Sequence, residues 1–253
     1  MLMAMPLMLY YYTDHDFANM TKLDGGARLF KIALIGIAVF VPQFAAMAIT
    51  PSLVKKFENK SIYNFYTVAG AVPYALIFVA YILFKGNLLG WGAVIITAVC
   101  IGLAAASMGG INVMQSIMIA DCVDYEEYHK GYRPDGVFFS GQSFLTKLSG
   151  GIAAVIQAVV YSVVKFSDTN LDNINFRLTQ GEHFYNMDNG KYALAMFLLI
   201  SLPIAVGMLL SALPMRSYGM TDAEHKDMLE ALIAKRAGEA AEAPAEEISE
   251  GAD

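Results

Sequence analysis

Five long apolar runs constrain this chain more than any other feature of its sequence. A helix needs about 20 mostly apolar residues to cross ~30 Å of hydrocarbon, and each run is long enough. The 253 residues are 57% hydrophobic and only 16% charged, which is unlike an ordinary soluble domain. The runs do not alternate as barrel strands must. The sequence therefore predicts an all-α integral membrane fold with transmembrane helices at 29–54, 61–84, 91–120, 136–164 and 191–213.

A shorter apolar stretch, residues 1–13, opens the chain. At ~1.5 Å per helical residue it covers about half a bilayer. A signal peptide is the alternative, but the stretch has no basic start, and Tyr10, Tyr11 and Tyr12 stand where small residues would permit cleavage. We interpret it as a partial transmembrane helix, truncated at its beginning, and the chain as a fragment of a longer protein.

Basic residues predict the orientation, because Lys and Arg concentrate in cytoplasmic loops. They cluster in the segment KKFENK at 55–60, at Lys130 and Arg133, and in the tail from Arg216 onward. The connections on the other side are longer and more acidic, as at 168–190. We therefore predict a cytoplasmic C-terminus.

The tail, residues 214–253, is predicted to leave the membrane. Thr221 and Glu224 form a capping-box pattern, and an apolar stripe follows at helical spacing: Met228, Leu229, Leu232 and Ile233. This short amphipathic helix either docks a partner or rests on the membrane or the bundle. The acidic run after Gly238 is predicted to be disordered, and its charge argues against binding nucleic acid.

Cysteine and histidine indicate no site. Cys100 lies inside a predicted span and Cys122 at its cytoplasmic end, so we expect no disulfide. The four histidines share no metal-ligand spacing. We expect neither a metal nor a bound cofactor.

One charge lies deep within an apolar run, in SFLTKLSGGIAAVIQAVVY at 143–161. If the helix starts near Pro134, Lys147 lies about 20 Å along it. A charge at that depth costs at least ~2.5 kcal/mol and usually faces a bundle interior or a watery cavity. Ser140 and Ser143 share its helical face. Lys147 therefore lines a wet pathway or is a structural lysine with a paired carboxylate or carbonyl.

The preceding span ends in a cluster of acidic and tyrosine side chains. Asp121, Asp124, Tyr125 and Tyr128 recur at i, i+3, i+4 and i+7, so they share one helical face. Basic residues that could pair with these carboxylates are Lys130, Arg133, Lys55 and Lys56. Ion pairs that break and re-form would make a cytoplasmic gate; a solvated helix end with mixed charges is the alternative.

Three polar residues, Asn112, Gln115 and Ser116, lie within the same apolar span. Amide side chains in hydrocarbon need hydrogen-bond partners. They could bond a sugar hydroxyl or another helix. The sequence leaves both readings open.

The order Q-x-I-M-x-A-D-x-V-D-Y-x-E-Y at 115–128, then a basic loop, then Ser140, Lys147 and Gly150, carries a resemblance. The chain resembles the C-terminal half of the melibiose permease-like glycoside-pentoside-hexuronide:cation symporters, in the major facilitator superfamily. The similarity also embraces the tyrosines at 10–12, the KKFENK segment and the tail helix.

The resemblance implies two six-helix bundles in the plasma (cytoplasmic) membrane, with sugar bound between them and sodium, proton or lithium driving uptake by alternating access. This chain would be the C-terminal six-helix bundle, and the missing N-terminal six-helix half would be its partner, beside membrane lipid and a small-molecule sugar. Lys147 matches the family's intramembrane lysine between the sugar and cation sites, and Asp121 and Asp124 match its gating carboxylates. Tyr11 and Tyr12 would lie on the outward half of the first helix.

Two alternatives to sugar transport remain. Where a sugar-transporting member of that family has a tryptophan, this chain has Asn112, which favours a different glycoside or a uronide. Related carriers move lipid-like cargo, so the same fold would suit that substrate. An intramembrane enzyme could use Asp121 and Asp124 as an acid/base or metal pair, but no nucleophile lies at the same depth. We therefore expect a transporter rather than an enzyme.

Overall fold

A computed structural model describes residues 7–8, 10–11, 26–84, 90–219 and 221–242. All regular structure in those ranges is helical, with no strand. The four described residues before 26 are helical, and Tyr12 lies outside the described residues. The predicted all-α membrane fold is therefore confirmed. In chain order the helices are α1 Gly26–Val54, α2 Asn59–Leu83, α3 Trp91–Lys130, α4 Asp135–Val163, α5 Asp168–Thr179, α6 Lys191–Ile200, α7 Leu202–Ser211 and α8 Asp222–Glu242, with 3₁₀ turns at Phe184–Gly190 and Pro214–Ser217.

Five stretches of these helices are long and apolar enough to cross a membrane. They are Ala33–Val54, Asn59–Leu83, Trp91–Lys130, Asp135–Val163 and Phe184–Ser217. The chain is thus a multi-pass membrane protein.

Three boundaries differ from the sequence prediction. Helix α3 continues ten residues past 120, because its charged last turns keep the helical backbone hydrogen bonds although they are no longer apolar. It ends where Gly131 takes up the left-handed conformation. The predicted span 191–213 is broken at Ser201, which separates α6 from α7. Helix α8 runs to Glu242, so the first residues of the predicted disordered run are helical, as their Ala and Glu content permits.

The connections between the helices lie at the two ends of the bundle. Residues 55–58 join α1 to α2, and residues 131–134 join α3 to α4. These two turns lie with α8 at one end of the bundle, since Lys60 donates a hydrogen bond to the Tyr218 carbonyl at 2.9 Å, just before α8. We call this end the tail end, and the end formed by residues 164–190 the opposite end.

Glycines let α3 approach its neighbours closely. A Cβ added to Gly109 would overlap the Gln43 carbonyl oxygen of α1, and one added to Gly110 would overlap the Tyr66 ring of α2. Small residues serve this purpose in membrane helices, where packing replaces the hydrophobic effect. Helix α3 is therefore the centre of the bundle.

Buried hydroxyl groups connect the helices further. The Thr50 and Tyr66 hydroxyls lie 2.9 Å apart, between α1 and α2. The Ser201 hydroxyl donates to the Tyr74 carbonyl at 2.6 Å, which ties the break between α6 and α7 to α2. These bonds satisfy polar groups that lipid cannot.

An aromatic cap closes the opposite end. The Tyr10 ring lies 5.3 Å from Phe184 and 5.7 Å from Phe166, and Phe184 stacks on Tyr192 at 4.9 Å, all between ring centroids. The Tyr10 hydroxyl also donates to Asn175 of α5 at 3.3 Å. Helix α5, which we did not predict, is thereby held on the bundle.

Helix α4 is the exception to this packing. It has no buried residue along its 29 residues, and its main contacts are with α3. Large apolar side chains such as Phe144, Val155 and Val159 are 57–64% exposed. The outer surfaces of α4 are therefore left for lipid or another protein to cover.

Candidate functional site

Lys147 lies near the middle of α4, 12 residues or about 18 Å after Asp135. Its side chain is exposed, and within the described ranges it forms no hydrogen bond or ion pair. The carboxylate or carbonyl partner that the structural alternative requires would come from outside the described residues.

The other polar residues predicted for the pathway are also exposed. Ser140 and Ser143 lie on the same helix as Lys147, and Ser140 donates to its own helix at Val137. Around Gly150 there is open space. This face of α4 therefore carries small and polar side chains, and no described residue covers it.

Asn112, Gln115 and Ser116 lie on an exposed part of α3. The Ser116 hydroxyl donates to the Asn112 carbonyl within the same helix at 3.3 Å. Neither amide side chain bonds another helix among the residues described. These amides are therefore free to meet a ligand or another protein, although the structure shows no contact between them and Lys147.

Tyr11 lies elsewhere. It is 1% exposed, and its ring centroid lies 5.7 Å from that of Phe197 and 6.5 Å from that of Tyr185, inside the opposite end. Packing of the aromatic cap explains why it does not line an open surface. Tyr12 was predicted beside it but is outside the described ranges.

Charged side chains gather at the tail end, and we call them the tail-end cluster: Asp121, Asp124, Glu127, Arg133, Asp135, His225 and Arg236. Arg133 binds three of its carboxylates. Its guanidinium contacts Asp124 at 2.8 Å, Glu127 at 2.9 Å and Asp135 at 2.7 Å. The bond to Asp135, followed by those to Glu127 and Asp124, raises the pKa of Arg133 above its already high value. The arginine therefore joins the end of α3 to the start of α4 as a permanent cation.

Asp121 belongs to a second, buried group. It is 5% exposed, and its Oδ2 accepts a 2.8 Å hydrogen bond from the Asn59 amide of α2. The Nε2 atom of His225, on α8, lies 3.5 Å from its Oδ1, a close contact without a formed hydrogen bond. Asp121 thus connects α2, α3 and α8.

The lysines of the KKFENK segment do not reach these carboxylates. Lys55 and Lys56 are exposed and form no ion pair in the part of the chain that is described. The segment contacts Asp121 through the neutral amide of Asn59, because the segment's last residues already belong to α2. Tyr125 is 44% exposed and its ring lies 4.1 Å from that of His129.

Two members of the cluster that were not predicted bind each other. Arg236 of α8 donates to Glu127 at 3.0 Å from Nε and 2.5 Å from Nη2. Glu127 follows Asp124 by three residues, which places it on the same face, so its role could have been inferred from spacing. Arg236 is 109 residues away, and no local pattern indicates its partner.

The two carboxylates of the enzymatic alternative have separate partners. Asp121 and Asp124 are held by different groups, and the described residues contain no set of three His, Cys, Asp or Glu side chains that could hold a metal. An acid/base pair would need both carboxylates at one site. The tail-end cluster instead connects helices.

Comparison with known families gives a match over most of the chain. Residues 3–222 match the family described as MFS/sugar transport protein. Comparisons with curated proteins and with solved structures give no match. The match covers all five membrane-spanning stretches and favours a transporter over an enzyme. The chain therefore belongs to the MFS/sugar transport protein family and is a multi-pass protein of the major facilitator type.

Proposed function

We propose that this protein couples the uptake of a sugar (a glycoside, pentoside or hexuronide) to a sodium or proton gradient across the cytoplasmic membrane, as a melibiose permease-like symporter. The observation that carries the proposal is Lys147, a cation at mid-depth on an exposed face of a spanning helix. A lone charge at that depth is costly in lipid and is retained where a watery cavity or a partner faces it.

The exposed faces of α3 and α4 indicate where the cavity would lie. Asn112 and Gln115 offer amides, and Ser140 and Ser143 offer hydroxyls, of the kind that bind sugar hydroxyl groups. A second six-helix bundle would cover the apolar remainder of α4. We therefore place the sugar between the two bundles, with Lys147 on its cavity wall.

The tail-end cluster supports alternating access. The ion pairs of Arg133 with Asp124 and Glu127 hold the connection before α4 on the end of α3 and are partly exposed, so they can break and re-form. The clustering of Lys and Arg at this end favours the cytoplasmic side for it. We therefore propose that the cluster is the cytoplasmic gate.

The test is accumulation of labelled sugars by cells that produce the full-length protein. We expect accumulation that stops when an ionophore collapses the sodium or the proton gradient. Lys147→Ala should reduce accumulation by at least about tenfold, since one lost charge interaction of 1.4 kcal/mol corresponds to that factor.

Lys165→Asn is the matched control. It removes a lysine just beyond the same helix, at φ 58°, a conformation that asparagine tolerates. Accumulation should persist in this variant. Normal accumulation by Lys147→Ala at equal amounts in the membrane would contradict the role of Lys147.

A lipid-like cargo is the second candidate. An apolar groove of about 360 Å³ between α1 and α3, lined by residues such as Ala38, Pro42 and Gly102, would accommodate an acyl chain. Competition between labelled glycosides and lipid analogues separates the two candidates. Uptake blocked only by lipids would favour the second.

A further inference from the structure

Helix α8 attaches to the end of α3 at two points. His225 faces Asp121 near the start of α8, and Arg236 binds Glu127 further along it. Between them Met228 and Leu232 are buried, at 7% and 2% exposure. The amphipathic stripe of the tail therefore docks on the protein itself, with a polar contact on either side of its apolar anchor.

Glu127 is shared between α8 and the connection to α4. It accepts hydrogen bonds from Arg236 and from Arg133. Arg133 in turn binds Asp135, in the first turn of α4. A continuous series of charged groups thus runs from α8 through α3 to the start of α4.

Helix α4 is attached near its two ends. Val160 and Tyr161 pack against the core near its end, and Arg133 binds Asp135 at its start, while no residue of the helix is fully buried. A change in the position of α8 would reach α4 through Glu127 and Arg133.

We propose that Arg236 and His225 are positioning residues, and that α8 is a latch that keeps the tail end closed by holding the α3 to α4 connection. The inference rests on the proposed function in one respect, that the tail end opens during transport. Arg236 and Arg133 are 47% and 41% exposed, so their bonds are weak enough to be released in each cycle. Asp121 faces Asn59 and His225, and Glu127 faces the two arginines.

The test uses the full-length protein with Cys100 and Cys122 replaced by alanine and serine, and with Ser143→Cys as a reporter on α4. A membrane-impermeant maleimide is applied from each side of the membrane, to cells and to inside-out vesicles. Arg236→Gln should raise the labelling rate from the tail side by about two- to fivefold, the effect of losing a partly exposed ion pair. Arg236→Lys should lie between that variant and the parent, because it keeps the charge without the two-pronged contact.

Lys226→Gln is the matched control, since it removes one charge from an exposed position of the same helix. Its labelling rate should not change. Trypsin cleavage at Lys226 from the tail side is the second readout, and it should be faster in Arg236→Gln because the released helix frays. If Arg236→Gln changes neither rate, or raises labelling equally from both sides, the latch is wrong.

Neither readout requires a sugar. Sugar accumulation is measured separately, in protein that keeps Ser143. A response to Arg236→Gln, with no sugar accumulation by that protein, would support the latch and contradict the proposed function. Sugar accumulation that depends on Lys147, together with no change in either rate in Arg236→Gln, would support the proposed function and contradict the latch.

Discussion

Helices α3 and α4 are both long, apolar and able to span a membrane, yet they are packed in opposite ways. In α3, 67% of the most apolar stretch is buried, whereas in α4 none is. Composition does not explain this difference, but the surroundings of their glycines do. Gly109 and Gly110 meet atoms of α1 and α2, while Gly150 and Gly151 meet open space. An apolar run thus indicates that a helix crosses the membrane, and only its contacts show which surfaces it covers.

The sharpest test of this comparison exchanges one hydrogen for a methyl group in each helix. Gly109→Ala should destabilise the protein by about 1–3 kcal/mol, because the added Cβ would overlap the Gln43 carbonyl. Gly150→Ala should instead stabilise it by about 0.5–1 kcal/mol, through the better helix propensity of alanine. Unfolding by SDS titration measures both. Equal effects would mean that α4 is packed as tightly as α3.

A second pair of variants compares hydroxyl groups at packed and unpacked positions. Ser201→Ala should lower the free energy of unfolding by about 0.6–1.7 kcal/mol, since it removes a hydrogen bond to α2 between two helices within the membrane. Ser149→Ala should change stability by less than about 0.5 kcal/mol, because that hydroxyl bonds only its own helix, at Leu145. The same SDS titration applies. A larger loss for Ser149→Ala would show that α4 has a neighbour at that position.

The smallest expected effect concerns the capping interaction at the start of α8, the helix that packs on the end of α3. The Thr221 backbone N–H, followed by its hydroxyl, donates to Glu224 and lowers the pKa of this carboxyl below 4.5. The folded pKa is thus below the unfolded one, so this contribution is present at neutral pH and is lost as the pH falls through the folded pKa.

Above about pH 4.5, amide exchange, corrected for its intrinsic pH dependence, should be slightly slower at the start of α8 in the parent protein than in Glu224→Gln, and this difference should disappear as the pH falls below that value. That variant keeps a capping side chain without its charge, so it isolates this carboxyl from the others. Exchange within α4 should not respond. Identical pH profiles in the two proteins would mean that the cap contributes nothing.

The sequence predicted crossing helices well because burial in lipid requires apolar length. It missed α5, since its stretch is mostly polar; the signal was the spacing of Leu171, Ile174 and Leu178, which all turn inward to some degree. The break at Ser201 has no strong local signal, since the following Pro203 fits a first helical turn.

Whether a contact of the candidate site could be predicted depended on how far apart its two residues lie in the sequence. The pairing of Asp124 with Arg133 could be anticipated, because nine residues separate them across one turn. Asn59 reaches Asp121 over 62 residues, and Arg236 reaches Glu127 over 109, so only the folded chain shows these contacts. The role of Lys147 stays a prediction, as its partner is not among the described residues.

The bare surface of α4 also has a consequence for biosynthesis. Membrane helices leave the translocon roughly in chain order, and domains pack as their parts emerge. Helices α1, α2 and α3 can assemble at once, because each finds its main contacts among the others. Helix α4 finds few contacts there, and the last span packs largely against α2 and leaves it aside. During insertion α4 would therefore stay in the bilayer with few packing partners among the described residues after the other spans have assembled.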